Sequence, residues 1–300
     1  MREGESRRQD VSASPSPSHP WVLSERPLNV VAVFGGGGAK AVAHVGAQRA
    51  MVEAGLAPGH FVGTSFGAVI GAAFAAGATH ESLVASLLGA TRGKIAPIDP
   101  LALLKGVYAD HLIKAEPLRR LIARLVPVTR FGDFQLPLSI VCTDLESGQL
   151  VVFGTGGRGD VGVQEALYAT CALPLYYQPA VIDGRRYADG GLRAVLPLET
   201  AQSIPADLVV AVHVGSGFDE VTPSGPTTFR TPPLIRAHGE SERIMMAAQV
   251  EQAIAAWPKT AAKLVLVRPV KEREATFAVE NMSRYIEAGY QLTRAALANR

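Results

Sequence analysis

A serine between two glycines is the first candidate for chemistry in this sequence. The pentapeptide GTSFG holds Ser65 between Gly63 and Gly67 in the pattern G-x-S-x-G, with a short apolar run before it and a stretch of small residues after it. This context predicts a strand, a sharp turn and a helix, and on such a turn the serine hydroxyl projects away from the sheet. Ser65 is therefore a candidate nucleophile, and its alternative role is to cap the helix that follows.

A glycine-rich stretch precedes this serine and could hold negative charge on its backbone N–H groups. The candidate donors are Gly36, Gly37, Gly38 and Ala39. A dinucleotide fingerprint would also need an acidic residue about twenty positions further on, and this chain has VGTSFG there. A phosphate loop fits less well, because no Ser or Thr follows Lys40. Turns after neighbouring parallel strands open at the same sheet edge, so an oxyanion beside Ser65 is the better match; a turn needed only for packing is the other alternative.

A serine nucleophile needs a group that accepts its proton, and two candidates follow Ser65 in the chain. Asp189 stands before Gly190 and Gly191 in the stretch YADGG, although Asp-Gly by itself is also a common turn. His213 lies in the apolar run LVVAVHVG and would complete a triad in the chain order Ser, Asp, His. The residues alone leave a dyad and a triad open.

Composition and charge exclude several classes of protein. Of the 300 residues, 48% are apolar and 19% are charged, and the net charge of +2 predicts no nucleic-acid partner. No His and Cys residues have the spacing of metal ligands, so we expect neither a metal nor a cofactor. Cys142 and Cys171 lie in apolar surroundings and are expected to be buried free thiols, which favours a reducing compartment.

The chain is expected to form one domain after a polar tail. Residues 1–27 are rich in Ser, Pro and charge and lack the apolar segment of a signal peptide, which predicts a disordered tail and a cytoplasmic protein. Residues 28–300 contain no repeat or dividing linker and are expected to be a single domain. Short β-branched runs alternate with helical stretches, which predicts a parallel sheet with crossover helices. The Pro-rich residues 217–233 are expected to form a lid or an entrance flap.

The three motifs in this order resemble the patatin-like phospholipase family. The stretches CTDLESG and ATCALPLYYQPAVIDGRRYADGG, which begin at Cys142 and Ala169, look like the intermediate blocks of that family. The resemblance covers the chain from about Val30 to Pro197. It implies a three-layer α/β/α sandwich around a mostly parallel sheet, a lipid acyl ester as substrate and a transient contact with a membrane surface.

On this resemblance each candidate residue takes a role. Ser65 is the nucleophile and Asp189 the base of a Ser–Asp dyad that uses no histidine. The oxyanion hole is implied at Gly36, Gly37, Gly38 and Ala39. The supporting residues are Lys40, at the family's basic position, and the glycines Gly63, Gly67, Gly190 and Gly191.

Three departures from the family pattern concern the shape of the site and leave the dyad intact. Ala41 stands where the family usually has Gly, and Phe66 is bulkier than the usual small residue inside the elbow. The family often has Asn near the positions of Ala194 and Val195, and this chain has none there. Phe66 is expected to narrow the acyl pocket. An esterase or thioesterase triad using His213, a nucleotide-binding protein and a non-catalytic scaffold are the alternatives left open.

Overall fold

The computed structural model describes residues 27–89, 96–221, 232–273 and 278–299. Residues 1–26, and with them nearly all of the expected tail, lie outside the described residues. Residues 222–231 of the expected lid also lie outside them. The described segment 217–221 of that loop is attached to the segment after the last strand, because Val221 forms a β-bridge with Glu272.

Strands and helices alternate along the chain, as their apolar runs and small-residue stretches predicted. The strands are β1 (Val30–Phe34), β2 (His60–Thr64), β3 (Leu138–Asp144), β4 (Leu150–Gly154), β5 (Ala180–Ile182), β6 (Arg185–Asp189), β7 (Leu208–Val212) and β8 (Lys263–Val267). The helices are α1 (Ala43–Glu53), α2 (Phe66–Ala75), α3 (His80–Leu88), α4 (Pro100–Lys105), α5 (Ala115–Leu125), α6 (Val163–Cys171), α7 (Gly191–Ala194), α8 (Leu198–Gln202), α9 (Pro233–Ala255) and α10 (Met282–Ala298).

The strands form one mixed sheet in the order β5-β6-β3-β2-β1-β7-β8, with β4 paired to β3 outside this path. The five strands from β3 to β8 in this order run parallel, which confirms the predicted parallel sheet. β4, β5 and β6 are antiparallel to their neighbours. The sequence analysis did not predict the hairpin of β5 and β6.

Helices cover both faces of this sheet, so the fold is the predicted three-layer α/β/α sandwich. Successive residues of β1 point to opposite faces and therefore belong to different cores. Ala32 and Phe34 pack in the core that contains α1 and α2. Val31 and Val33 pack in the core that contains residues of α8 and α9. A parallel strand buried on both faces is continuously apolar, which is why β1 reads VVAVF.

Two strands that carry candidate site residues meet end to end along one edge of β3. β2 pairs with residues 138–141 of β3, and β6 pairs with residues 142–144. β4 pairs with residues 139–143, so it occupies one edge of β3 and leaves the other edge to β2 and β6. The last residue of β2, Thr64, and the last residue of β6, Asp189, therefore lie at adjacent positions of this edge. The topology brings the residue after β2 next to Asp189.

The described residues also bear on the predictions from composition. Cys142 and Cys171 are both buried and unpaired, as predicted. Within the described ranges, no helix combines the length and the apolar character needed to cross a bilayer.

Candidate active site

Ser65 lies on the predicted sharp turn between β2 and α2. Its φ of 54° and ψ of −138° are unfavourable for a residue with a side chain and cost about 1–3 kcal/mol. Close packing requires the flanking glycines, because a Cβ on Gly63 would lie 2.4 Å from Ala68 Cα. A Cβ on Gly67 would lie 2.4 Å from the carbonyl oxygen of Gly35. The sequence pattern G-x-S-x-G thus corresponds to a strained turn that only these small residues allow.

The Ser65 hydroxyl donates a hydrogen bond to Asp189, with 2.7 Å between Oγ and Oδ2. The side chain makes no capping bond to α2, so the helix-capping alternative is wrong for this hydroxyl. The second carboxylate oxygen, Oδ1, accepts from the Gly191 amide at 2.7 Å. The hydroxyl of Thr143 donates to the Asp189 carbonyl oxygen at 2.9 Å. These bonds fix the carboxylate so that Oδ2 is left for the serine.

Burial raises the pKa of Asp189 to about 7. Desolvation is the largest cause, because an ionised carboxylate loses its hydration shell in the interior. The bonds from the Gly191 amide and the Ser65 hydroxyl lower the pKa, and the negative charge of Glu242 raises it. A carboxylate with this pKa is a stronger base than an exposed aspartate, whose pKa is about 3.9.

Asp189 is followed by two glycines for reasons of space. A Cβ on Gly190 would lie 2.1 Å from the carbonyl oxygen of Val141 in β3. A Cβ on Gly191 would lie 3.0 Å from Asp189 Oδ1, the oxygen to which the Gly191 amide donates. The two glycines of the D-G-G pattern therefore allow the backbone to lie close to β3 and to the Asp189 carboxylate.

Gly36 packs directly beside the nucleophile, and its amide is already engaged. A Cβ on Gly36 would lie 3.2 Å from the Cβ of Ser65. The Gly36 N–H donates to the Val195 carbonyl oxygen at 2.9 Å. This residue was expected among the oxyanion donors, but in this conformation its N–H is occupied by Val195. Free donors have to come from the residues that follow it.

The amides of Gly37, Gly38 and Ala39 are the remaining candidate donors. The first hydrogen bond of the 3₁₀ turn Gly38–Val42 runs from the Lys40 amide to the Gly37 carbonyl oxygen, so the amides before Lys40 precede the intrahelical bonds. Gly38 has a φ of 58°, which favours glycine. A Cβ on Gly37 would lie 2.7 Å from the Val214 carbonyl oxygen. All three residues line the cavity that contains the serine.

Lys40 supports the glycine loop from within the protein. Its ammonium group donates to the Glu272 carbonyl oxygen at 3.1 Å and lies 3.5 Å from the Glu220 carboxylate. Burial lowers the pKa of Lys40, and the nearby Glu220 opposes this shift. Lys40 therefore connects the turn after the glycines to the segments around Glu220 and Glu272, and its charge is paired.

His213 is buried and is not needed between the serine and the aspartate. Its side chain lies at the end of β7, and burial, followed by the positive charges of Arg268 and Lys40, lowers its pKa to about 3. An imidazole with this pKa is neutral at pH 7 and a weak base. The contact between Ser65 and Asp189 is direct, with no imidazole between the two side chains.

The sequence analysis assigned no role to two buried threonines that hold the site together. Thr64, one residue before the serine, donates from its hydroxyl to the Ala194 carbonyl oxygen at 2.8 Å. Thr170 accepts a hydrogen bond from the Ser65 amide at 2.9 Å. Thr170 lies in the block ATCALP that supported the family resemblance, but a single threonine in an apolar helix has no spacing that signals such a contact.

An apolar cavity extends from the serine hydroxyl. Ser65, Asp189 and the glycine loop all line it. Apolar wall residues include Phe66, Leu87, Leu118, Leu121, Tyr177 and Met282. Cys171 also lines the cavity, and burial raises the pKa of its thiol well above the usual value, so it stays protonated. Among the described residues, no group of three or more His, Cys, Asp or Glu side chains is arranged to hold a metal ion.

Fold and site together define an α/β sandwich with a serine on a strained strand-to-helix turn and a buried aspartate as its hydrogen-bond partner. Residues 32–201 match the model of the patatin-like phospholipase family, and the chain belongs to this family. The predicted resemblance is thereby confirmed.

Individual proteins similar to this chain include both curated relatives and a solved structure. An uncharacterised NTE family protein of Mycobacterium tuberculosis is 30% identical over 200 residues, which covers 67% of this chain and 53% of the relative. Lysophospholipase nte1 of Neurospora crassa is 30% identical over 194 residues, which covers 64% of this chain and 12% of the relative. The crystal structure of VipD from Legionella pneumophila superimposes with a TM-score of 0.50 at 15% identity, over 91% of this chain and 67% of VipD, and shares the fold. The chain spans about half the length of the mycobacterial relative.

Proposed function

We propose that this protein hydrolyses the acyl ester bonds of lipids, with Ser65 as nucleophile and Asp189 as general base. The observation that carries the proposal is the 2.7 Å hydrogen bond from Ser65 to a buried Asp189, two residues that line an apolar cavity. Membership of the patatin-like phospholipase family supports the substrate class.

The proposed reaction has two steps. Ser65 Oγ attacks the ester carbonyl carbon while Asp189 takes the hydroxyl proton, and the amides of Gly37, Gly38 and Ala39 stabilise the negative charge on the carbonyl oxygen. The C–O bond to the alcohol then breaks, and Asp189 returns the proton to the departing oxygen. In the second step water attacks the carbonyl carbon of the acyl-serine while Asp189 takes a proton from the water. The bond to Ser65 Oγ then breaks, Asp189 returns that proton to Oγ, and the fatty acid leaves.

The raised pKa of Asp189 supports its role as a base without a histidine. General-base catalysis is most efficient when the pKa of the base is close to the working pH. Burial brings the pKa of Asp189 to about 7, and the ionised form is then both available and basic enough at neutral pH. The same burial excludes water, which strengthens each hydrogen bond to the reacting oxygen.

The cavity favours a substrate with a long acyl chain. Its walls include apolar side chains of α3, α5 and α10, such as Leu87, Leu121 and Met282. A fatty acyl chain in this cavity would be buried along its length, at about 0.8 kcal/mol per methylene. Phe66, which follows the nucleophile directly, also lines the cavity. Phospholipids, lysophospholipids and acylglycerols all carry such chains.

Product analysis on a panel of lipids tests the function. The purified protein is incubated with phosphatidylcholine, lysophosphatidylcholine and monoacylglycerol, and released fatty acid is measured by mass spectrometry. We expect fatty acid from at least one of the three and none above background with Ser65→Ala. Release at the same rate by the variant, or no release from any acyl ester including a soluble one, would contradict the proposal.

We further propose that the surface formed by α4 and the residues beside it contacts the lipid aggregate. Leu101, Leu104 and Tyr108 are 62%, 84% and 88% exposed, an unusual concentration of large apolar side chains in one short segment. Ala96, which precedes this segment in the chain, lines the cavity. An apolar surface of this kind can enter the interfacial region of a lipid layer.

Vesicle binding tests this contact. The double variant Leu104→Asp with Tyr108→Asp should bind phosphatidylcholine vesicles more weakly than the wild type and should keep its rate on a soluble ester. Val181→Asp changes a side chain that is 65% exposed on β5 and serves as the control. Equal vesicle binding by the double variant and the control would exclude this surface.

We propose that residues 28–300 form one domain, supported by the single sheet that contains strands from residue 30 to residue 267. We also propose a cytoplasmic location, supported by the two thiols that stay unpaired. Limited proteolysis and cell fractionation test the two proposals.

A further inference from the structure

The backbone of Ser65, as well as its side chain, is held by a buried side chain. The Ser65 amide donates to Thr170 Oγ1 at 2.9 Å. The Thr170 hydroxyl in turn donates to the carbonyl oxygen of Val141 at 2.5 Å. Thr170 is completely buried in α6, so the hydroxyl that makes both bonds lies out of contact with water. An amide that loses its acceptor in the interior destabilises the folded conformation, so this contact contributes to holding the turn.

The other end of this connection lies at the point where the two site strands meet. Val141 pairs with Thr64, the residue before the nucleophile. The next residue of β3, Cys142, pairs with Asp189. Thr170 therefore links the strained turn of Ser65 to Val141, the residue of β3 that directly precedes the partner of Asp189.

We propose that Thr170 is a positioning residue that holds Ser65 in its positive-φ conformation and in line with Asp189. The inference rests on the proposed role of Ser65 as nucleophile. The turn has an unfavourable backbone conformation, so it persists only while the surrounding contacts maintain it. The Thr170 hydroxyl is one such contact. It accepts the hydrogen bond from the Ser65 amide, for which the helix after the turn offers no acceptor. Without it the serine amide has no acceptor and the turn can relax, which moves Oγ away from Oδ2.

Substitution by valine removes the hydroxyl and keeps the shape of the side chain. Thr170→Val should lower kcat by about 10- to 100-fold, since a displacement of about 1 Å costs up to about 100-fold in rate. KM should stay within about threefold, because Thr170 does not line the cavity. The second-order rate of labelling by a fluorophosphonate should fall in parallel with kcat. Thr170→Ser keeps the hydroxyl and should restore most of both rates.

Thr293 provides a matched control on α10. Its side chain is also completely buried, and its hydroxyl has no hydrogen-bond partner among the described residues. Thr293→Val removes a buried hydroxyl from the same kind of residue at a distance from the nucleophile. Its labelling rate and kcat should equal those of the wild type.

The outcomes separate this inference from the proposed function. A wild-type protein that neither reacts with the fluorophosphonate nor hydrolyses an ester contradicts the proposed function. A reactive wild type with a folded Thr170→Val variant that matches it in kcat and labelling rate overturns the positioning role alone. If the valine variant does not fold, Thr170→Ser decides: a folded serine variant with rates about 10-fold below the wild type also overturns the role.

Discussion

Ser65 and Asp189 lie at the facing ends of two strands that share one edge of β3. Thr64 ends β2 opposite Val141, and Asp189 ends β6 opposite Cys142, the next residue of β3. Two residues far apart in the chain are thus placed by adjacent positions of a single strand. The 2.7 Å hydrogen bond between their side chains follows from this register together with the strained turn at Ser65.

Activity should increase with pH through the pKa of Asp189. The base must be ionised, and burial raises its pKa to about 7, so kcat/KM on an uncharged soluble ester should rise up to about pH 7 and level off above it. Glu242 contributes to the raised pKa, so Glu242→Gln should move the midpoint to lower pH. A profile that is flat from pH 5 to pH 8 would exclude Asp189 as the titrating base.

Asp189→Asn should make the protein more stable at pH 8 while it abolishes activity. The folded protein keeps a proton on Asp189 up to about pH 7, whereas the unfolded chain releases it near about pH 3.9. The wild type therefore loses stability as the pH rises between these values, and the asparagine variant does not. The gain in free energy of unfolding at pH 8 is expected to be a few kcal/mol, on the order of 2–4, and close to zero at pH 4. Urea denaturation at pH 4 and at pH 8 measures this gain in the free energy of unfolding. An equal gain at both pH values would show that the buried charge of Asp189 is not its cause.

The sequence was sufficient for the parts of the site that depend on local backbone geometry. G-x-S-x-G predicted the turn of Ser65 because only glycine fits at Gly63 and Gly67, where any Cβ would contact backbone atoms at 2.4 Å. The alternation of apolar runs with helical stretches likewise predicted the parallel strands. Each of these features follows from residues close together in the chain.

One local feature and one contact between distant parts of the chain were missed. The hairpin of β5 and β6 carries an Asp-Gly turn, Asp183 and Gly184, with φ values of 50° and 76°. Asp-Gly between two short runs is a hairpin signal that the sequence contained. No local pattern shows that the Gly36 amide donates to the Val195 carbonyl oxygen, because the two residues are far apart in the chain. The resemblance to a family supplied the partnership of Ser65 and Asp189 before the topology explained it.

His213→Gln should keep most of the activity that Asp189→Asn loses. In a triad the imidazole accepts the proton, and its loss is as severe as that of the aspartate. Here Ser65 donates directly to Asp189, and the pKa of His213 is lowered to about 3, so the histidine is a poor base. Both variants are assayed on one soluble ester after their folding is checked by circular dichroism. A folded His213→Gln variant as inactive as Asp189→Asn would support the triad.

Two glycines of the same helix should respond oppositely to alanine. A Cβ at Gly67 would lie 2.4 Å from the Gly35 carbonyl oxygen and 2.5 Å from that of Phe34, so Gly67→Ala must displace β1 or α2. A Cβ at Gly71 would lie 3.4 Å from the Cβ of Phe61, an ordinary contact, and alanine favours the helix by about 1 kcal/mol.

Thermal denaturation and the ester assay measure both substitutions. Gly67→Ala should lower the melting temperature and remove most activity, and Gly71→Ala should leave both unchanged or raise the melting temperature slightly. An active and stable Gly67→Ala variant would contradict the packing of the turn against β1.

The central claim is that Ser65 is the nucleophile activated by Asp189, and the most direct test is the mass of the covalent adduct with a fluorophosphonate. The wild type should gain one adduct, located by peptide mapping at Ser65, and Asp189→Asn should react at least about 100-fold more slowly, in line with the usual contribution of a general base. Ser65→Ala should gain none, since the thiol of Cys171 beside it is protonated. An adduct on another residue of the wild type, or an Asp189→Asn variant that reacts at the wild-type rate, would contradict the claim.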